Sequence, residues 1–333
     1  MKEVSWGFIG CGNVVKNKSG GAFNSVDGSS ICAVYSRSEE SAKYVSSMFQ
    51  VPYWYTSVGE LLSNKSVSAV YIATPPGLHL KHALACCQAS KPIYIEKPFA
   101  RNMKEAEIIV DTSRKNNIPV YVAHYFRAQP RFRFVKEILS KKVIGDPVNM
   151  SFSLERQYEP LNWHYTPKLS GGGRFYDIAP HSLDLIQYLF GRFVDIYGFA
   201  RNCNKNYQVE DTVMITFETE SGVAGTANYN LQSNCKKDEM IILGTSGKLS
   251  FSVHNGEDVR VETATGIKIY SFAKPLWDAY YMVQEVVNAL LGKDNHALTG
   301  EEALNTMKAM DAVLQDFYHG RDDCFWERPN TWG

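Results

Sequence analysis

Over the first 120 residues, short apolar runs alternate with longer stretches in which apolar positions recur at helical spacing. The runs are Val4–Ile9, Ile31–Tyr35, Ala69–Ala73, Ile93–Ile95 and Val120–Ala123. Runs with no polar face suit strands that helices cover on both sides, so the pattern predicts βαβ units on a doubly wound parallel sheet. Ser38 is placed to cap a helix over Glu39–Phe49, and Asn102 one over Met103–Lys115 that ends at Asn116-Asn117 before Pro119.

Beyond residue 125 the texture changes to long alternating segments broken by Gly and Asn turns. Val213–Thr219, Gly222–Leu231, Glu239–Leu243 and Lys248–Val253 read as a meander forming a large, mainly antiparallel sheet. Two helices, Trp277–Leu291 and Glu301–Tyr318, are expected to close the chain. The reading is therefore α/β with two domains, 1–123 and 124–333. No Pro-rich linker separates them, so they are expected to pack together. The open face of the second sheet suits pairing of copies.

A length of 333 residues fits two cores, and 44% hydrophobic against 21% charged residues is ordinary globular composition. Lys plus Arg balances Asp plus Glu at 35 each, so no overall field steers the protein to nucleic acid or an anionic membrane. Seven cysteines are scattered without metal-ligand spacing, which suits a reducing compartment. Without a signal-like N-terminus or a long apolar stretch, a cytoplasmic protein is expected.

Chemistry gathers at strand ends. Gly10-Cys11-Gly12-Asn13-Val14-Val15 follows the first strand, where a dinucleotide fold needs one glycine to turn and one to admit a pyrophosphate. Val15 stands where a third small residue is usual. The second strand ends in Ser36-Arg37-Ser38 rather than in a ribose-binding carboxylate. A hydroxyl and a guanidinium suit a 2′-phosphate, so NADP(H) is favoured, with NAD(H) the alternative. The plain reading of the same residues is a helix cap and a solvated arginine. Thr74-Pro75-Pro76-Gly77-Leu78-His79 makes a stiff turn after one strand, and Glu96-Lys97-Pro98 follows another. In the second half, Gly171-Gly172-Gly173-Arg174-Phe175-Tyr176-Asp177-Ile178-Ala179-Pro180-His181 leads into a helix. Asp177 and His181 share a face if the turn is helical, but Pro180 predicts that regular helix starts near it, with Asp177 in the preceding bend.

Together these segments resemble the Gfo/Idh/MocA group of NAD(P)-dependent sugar and polyol oxidoreductases over essentially the whole chain, from GCGNVV through TPPGLH, EKP and Tyr125-Phe126-Arg127 to GGGRFYDIAPH. The resemblance implies a Rossmann domain, then a substrate-binding and oligomerisation domain that pairs into homodimers or homotetramers. It implies Lys97 as catalytic lysine, His181 as proton donor or acceptor, and Asp177 as a substrate-binding or supporting residue. Some relatives carry Tyr at the His181 position. The cofactor set is then Gly10, Cys11, Gly12, Asn13, Val14, Val15, Ser36, Arg37, Thr74, Pro75, Pro76, His79, Glu96 and Lys97. Tyr125, Arg127 and Trp163, with His164 behind them, are candidates for contacting substrate. Two alternatives stay open: a redox-neutral sugar-modifying enzyme that retains NAD, and a non-catalytic nucleotide or sugar sensor, which would have no need of a proton-transfer pair.

Overall fold

The computed structural model describes residues 2–157, 163–204 and 206–333. In chain order the strands are β1 Val4–Ile9, β2 Ser29–Tyr35, β3 Tyr53–Tyr55, β4 Ala69–Ile72, β5 Ile93–Ile95, β6 Val120–Val122, β7 Pro147–Glu155, β8 Phe193–Arg201, β9 Thr212–Thr219, β10 Ala224–Asn230, β11 Lys237–Gly244, β12 Gly247–Phe251, β13 Asp258–Thr263 and β14 Gly266–Ser271. The α-helices are α1 Ala22–Ser25, α2 Glu39–Phe49, α3 Val58–Ser63, α4 His79–Gln88, α5 Met103–Lys115, α6 Pro130–Ser140, α7 Pro167–Ser170, α8 Arg174–Phe190, α9 Tyr280–Leu290 and α10 Gly300–Leu314.

By packing, the chain divides into a first unit, reaching to Ala128 and including Pro275–Leu304, and a second unit of Gln129–Lys274 and Asn305–Gly333. The segment from 275 to 304 returns to the first unit, where Thr299 bridges to Tyr121 of the sixth strand and Val122 N donates to Leu298 O (3.0 Å).

The first unit is a six-stranded parallel sheet ordered β3-β2-β1-β4-β5-β6. Strand order reverses between β1 and β4, leaving a crevice at their carboxyl ends. Ser38 and Asn102 cap α2 and α5, accepting from Ser41 N (3.2 Å) and Glu105 N (2.9 Å). Trp6, Phe8, Phe23, Tyr71 and Tyr94 fill the interior as a ring cluster with neighbouring centroids 4.7–6.3 Å apart. The edge strand β3 was not foreseen, because Tyr-Trp-Tyr is short and exposed and so lacks a buried period.

The second unit carries an eight-stranded sheet ordered β14-β13-β12-β11-β7-β10-β9-β8. The expected meander is therefore interrupted. β7, which the sequence pattern did not yield, inserts between β10 and β11, parallel to the former and antiparallel to the latter. β8, β13 and β14 extend the sheet at both edges. On β9, Val213, Ile215, Phe217 and Thr219 face inward while Thr212, Met214, Thr216 and Glu218 face outward. Helix α10 lies so close to β8 that a side chain at Gly198 would strike Val313.

Candidate active site

Gly10 turns the chain off β1 with φ +117°, a region that strains any side chain, and a Cβ there would stand 2.7 Å from Ala73 O at the end of β4. The loop is tied to its neighbours: Gly10 N donates to Tyr35 O (3.0 Å) and Ser41 Oγ to Cys11 O (3.3 Å). Cys11 is buried, and burial pushes its thiol up to about 12, so it packs rather than reacts. A Cβ added at Gly12 would meet nothing within 4 Å. The backbone at Gly12 therefore faces open space at the switch point, a cradle that fits a pyrophosphate. Asn13 accepts from Asn17 Nδ2, Val14 follows, and at the buried Val15 the helix widens into a π-helical turn, Val15–Ser19. The departure at the third glycine slot thus coincides with a departure from regular helix.

At the end of β2, Ser36 Oγ accepts from Ser38 N (3.2 Å), and Arg37 is exposed and bonded to no described residue. After β4, Pro76–Leu78 forms a single 3₁₀ turn. His79, named in the cofactor set, opens α4. It is fully buried with Nε2 against Thr74 O (2.7 Å) and Nδ1 against Phe99 O (3.2 Å), so its imidazole straps the Thr74-Pro75-Pro76 loop to the segment after Lys97. Thr74 Oγ1 lies 3.2 Å from Nδ1 of His82, a buried imidazole whose pKa falls to about 4, mainly through burial.

Lys97 follows β5 and is half-buried. The carboxylate of Glu96 accepts from Lys97 N (3.2 Å) and from the hydroxyl of Tyr71 (2.5 Å), which in turn lies 2.8 Å from Ser19 Oγ in the π-helical turn. A buried hydrogen-bond chain thus links the glycine-loop helix to the Glu96-Lys97 segment. The sequence reading passed over Tyr71 and Ser19. A tyrosine inside an otherwise aliphatic buried strand was the available signal, since its hydroxyl must find a partner. Burial holds the Glu96 carboxyl above its ordinary value, with the Tyr71 and Lys97 contacts opposing. A raised pKa means the folded state binds the proton more tightly. The group's stabilising contribution is then complete below its unfolded pKa and lost as pH rises through the folded one. Glu96→Gln is therefore expected to gain stability relative to wild type as pH rises above the ordinary carboxylate value of 4.5. Denaturant unfolding across that range checks it, and a pH-independent difference would contradict the assignment.

Tyr125 and Arg127 lie in a 3₁₀ turn just after β6, in the first unit, the former buried and the latter half-buried. Five segments carrying candidate residues thus leave the carboxyl edge of one sheet.

In the second unit the bend expected before Pro180 is absent: α8 begins at Arg174 and runs through Pro180. Pro180 removes one backbone donor, but burial of most of the helix outweighs that loss. Asp177 and His181 therefore occupy one face of a regular helix, four residues apart. The Asp177 carboxylate pairs with His164 Nε2 (3.6 Å) and Arg174 Nη1 (3.5 Å). Trp163 is exposed, stacked on His164 with centroids 3.8 Å apart, so it is not a buried anchor. Gly172 and Gly173, before α8, make room for Glu210, whose buried carboxylate accepts from Gly173 N (2.8 Å) and the Tyr318 hydroxyl. Glu210 left no sequence signal, because its role depends on a glycine run far from it in the chain.

Six parallel strands in this order, with a glycine cradle at the reversal, define a Rossmann nucleotide-binding fold. Sequence comparison gives the same answer. The oxidoreductase family with an NAD-binding Rossmann fold matches residues 4–124, and the Gfo/Idh/MocA C-terminal domain matches residues 132–250. Oxidoreductase P35 of Formosa agariphila is 33% identical over 93% of this chain and 98% of its own. D-apiose dehydrogenase of Rhizobium rhizogenes is 24% identical over 96% and 97%. Among solved structures, a levoglucosan dehydrogenase complexed with NADH and levoglucosan superposes with a TM-score of 0.84 at 20% identity, covering 94% of this chain and 96% of that one. This chain belongs to the Gfo/Idh/MocA family and is an NAD-binding oxidoreductase. Among the described residues, no helix is long and apolar enough to cross a membrane.

Proposed function

We propose that this enzyme transfers hydride between NADP(H) and a hydroxyl-bearing carbon of a carbohydrate, polyol or related hydroxy/keto compound. The observation that carries the reading is the open cradle at Gly12, with the Glu96-Lys97 segment leaving the same sheet edge. Curated relatives named for D-apiose and levoglucosan support a substrate of sugar size.

When bound, the nicotinamide supplies the hydride acceptor or donor. Hydride leaves a carbinol carbon readily only as the hydroxyl proton departs, so the site needs a base near neutral pKa and a cation beside the developing alkoxide. His181 takes the first role and Lys97 the second. In reduction the proton returns to the carbonyl oxygen from His181 or Lys97. Glu96 fixes the Lys97 backbone, and Asp177, held by His164 and Arg174, presents its remaining acceptor capacity to substrate hydroxyls. Tyr125, Arg127 and Trp163 are proposed as further substrate contacts.

NADP(H) preference rests on Ser36 and Arg37, where a carboxylate would repel a 2′-phosphate. Arg37→Asp is expected to lower the NADPH-over-NADH affinity ratio by about tenfold or more, the worth of one to two charge-assisted hydrogen bonds. Titration followed by tryptophan fluorescence measures it, and an unchanged ratio removes Arg37 from the phosphate site.

Homodimers or homotetramers are proposed to form through the outer face of the second sheet, where Tyr197, Phe199, Met214, Ile267 and Ile269 are each more than half exposed. Sedimentation is expected to show an oligomer, and Phe199→Asp to weaken it; a wild-type monomer would refute this. The unpaired thiols, three of them exposed, suit a reducing compartment such as the cytoplasm.

A further inference from the structure

We infer that His254, on the loop between β12 and β13, is a positioning residue that holds the ring of His181. The inference rests on the proton-transfer role proposed for His181. His181 is 6% exposed on α8, and its ring meets that of His254 edge-to-face, with centroids 6.1 Å apart and planes at 74°. His254 also packs toward Phe152 of β7, 6.4 Å away, itself buried against Tyr229. The imidazole therefore touches both the sheet's inner face, at Phe152, and the helix that carries His181.

Loops between strands are ordinarily the mobile part of a sheet, so a ring on one is a poor support unless the loop is fixed. This loop is fixed from two directions. The Asp238 carboxylate accepts from Val253 N (3.0 Å), His254 N (2.8 Å), Asn255 N (2.8 Å) and Asn255 Nδ2 (3.1 Å), while Ser252 Oγ donates to Asp238 O (2.6 Å). From α6, the buried guanidinium of Arg131 donates to Ser252 O (3.0 Å), Val253 O (2.6 Å) and Gly256 O. Two charged side chains, Asp238 of β11 and Arg131 of α6, thus bind the backbone of one short loop and fix that of His254. A proton-transfer group must be held within a fraction of an ångström of its productive position, and a rigid neighbouring ring meets that need.

The test is NMR of protein labelled on histidine, with the His181 ring resonance assigned by its loss in His181→Gln. In His254→Ala the His181 signal is expected to shift and broaden as the ring samples further rotamers, and in His254→Phe to return to a single sharp signal. With the aldose or polyol that wild type turns over fastest, His254→Ala is expected to lower kcat by about tenfold or more while cofactor affinity is kept, and His254→Phe to restore most of it. An unchanged His181 signal in His254→Ala, or equal effects of the Ala and Phe variants, overturns the inference; a lowered Tm with normal His181 resonance would assign His254 to the fold alone. If His181→Ala keeps full turnover, the proton-transfer reading fails instead, whatever the NMR shows.

Discussion

Lys97→Met is expected to lower turnover by at least about a hundredfold while NADPH binds as before. Methionine keeps the length and apolar stem of the side chain and removes only the ammonium, so the change isolates the charge beside the developing alkoxide. The backbone contact that holds the segment, Lys97 N to the Glu96 carboxylate, does not depend on the side chain and survives. A group that contributes only when charge develops on the substrate oxygen should leave ground-state binding nearly untouched, so the loss belongs in kcat. Steady-state kinetics together with fluorescence titration of the cofactor separate the two quantities. Turnover within about twofold of wild type would remove the lysine from the mechanism.

Gly173→Ala is expected to destabilise the second unit strongly. Its Cβ would stand 2.4 Å from Glu210 O and 3.0 Å from the Glu210 carboxyl carbon. Relief requires moving a buried carboxylate that also accepts from Gly173 N and the Tyr318 hydroxyl. The surroundings cannot yield easily. Arg321, 1% exposed, lies over the rings of Tyr176, Tyr318 and Phe325, donates to Gly171 O (2.8 Å) and pairs with Asp311 (2.7 Å). Overpacking and a weakened buried hydrogen bond together cost about 3 kcal/mol, or a Tm lower by roughly 5 to 10 °C. Because α8 starts at the next residue, Asp177 and His181 should shift with it and activity should fall as well. A Tm change below about 2 °C would show that the glycine is not required for packing.

The parallel sheet was legible because its strands are buried on both faces and therefore read as unbroken apolar runs. Ser38 and Asn102 were legible as caps because the rule relating a short polar side chain to the next turn is local. What failed was non-local. β7 alternates Asn149, Ser151 and Ser153 with buried Met150, Phe152 and Leu154, a local strand signal, but its place between β10 and β11 is set by partners about 75 and 90 residues away, which no local pattern announces. Pro180 misled because the local penalty of proline in a helix was weighed without the burial that offsets it. The strapping contacts of His79 were not legible either, because one of the two backbone carbonyls its ring meets, Phe99 O, lies 20 residues away. The glycine loop and the Glu96-Lys97 segment could be found as motifs, whereas the partner of the Tyr71 hydroxyl that joins them is fixed only once strands β4 and β5 lie side by side.

Net hydride transfer is decided by a multiple-turnover assay with free NADP(H) against a panel of aldoses, anhydrosugars and polyols, counting cofactor consumed per product formed. The account predicts a substrate for which the two amounts are equal, with the signal abolished by Lys97→Met. Product that accumulates without matching consumption of cofactor would contradict net hydride transfer, and failure of the protein to bind any nicotinamide nucleotide, after release and analysis of whatever it retains, would contradict the cofactor site itself.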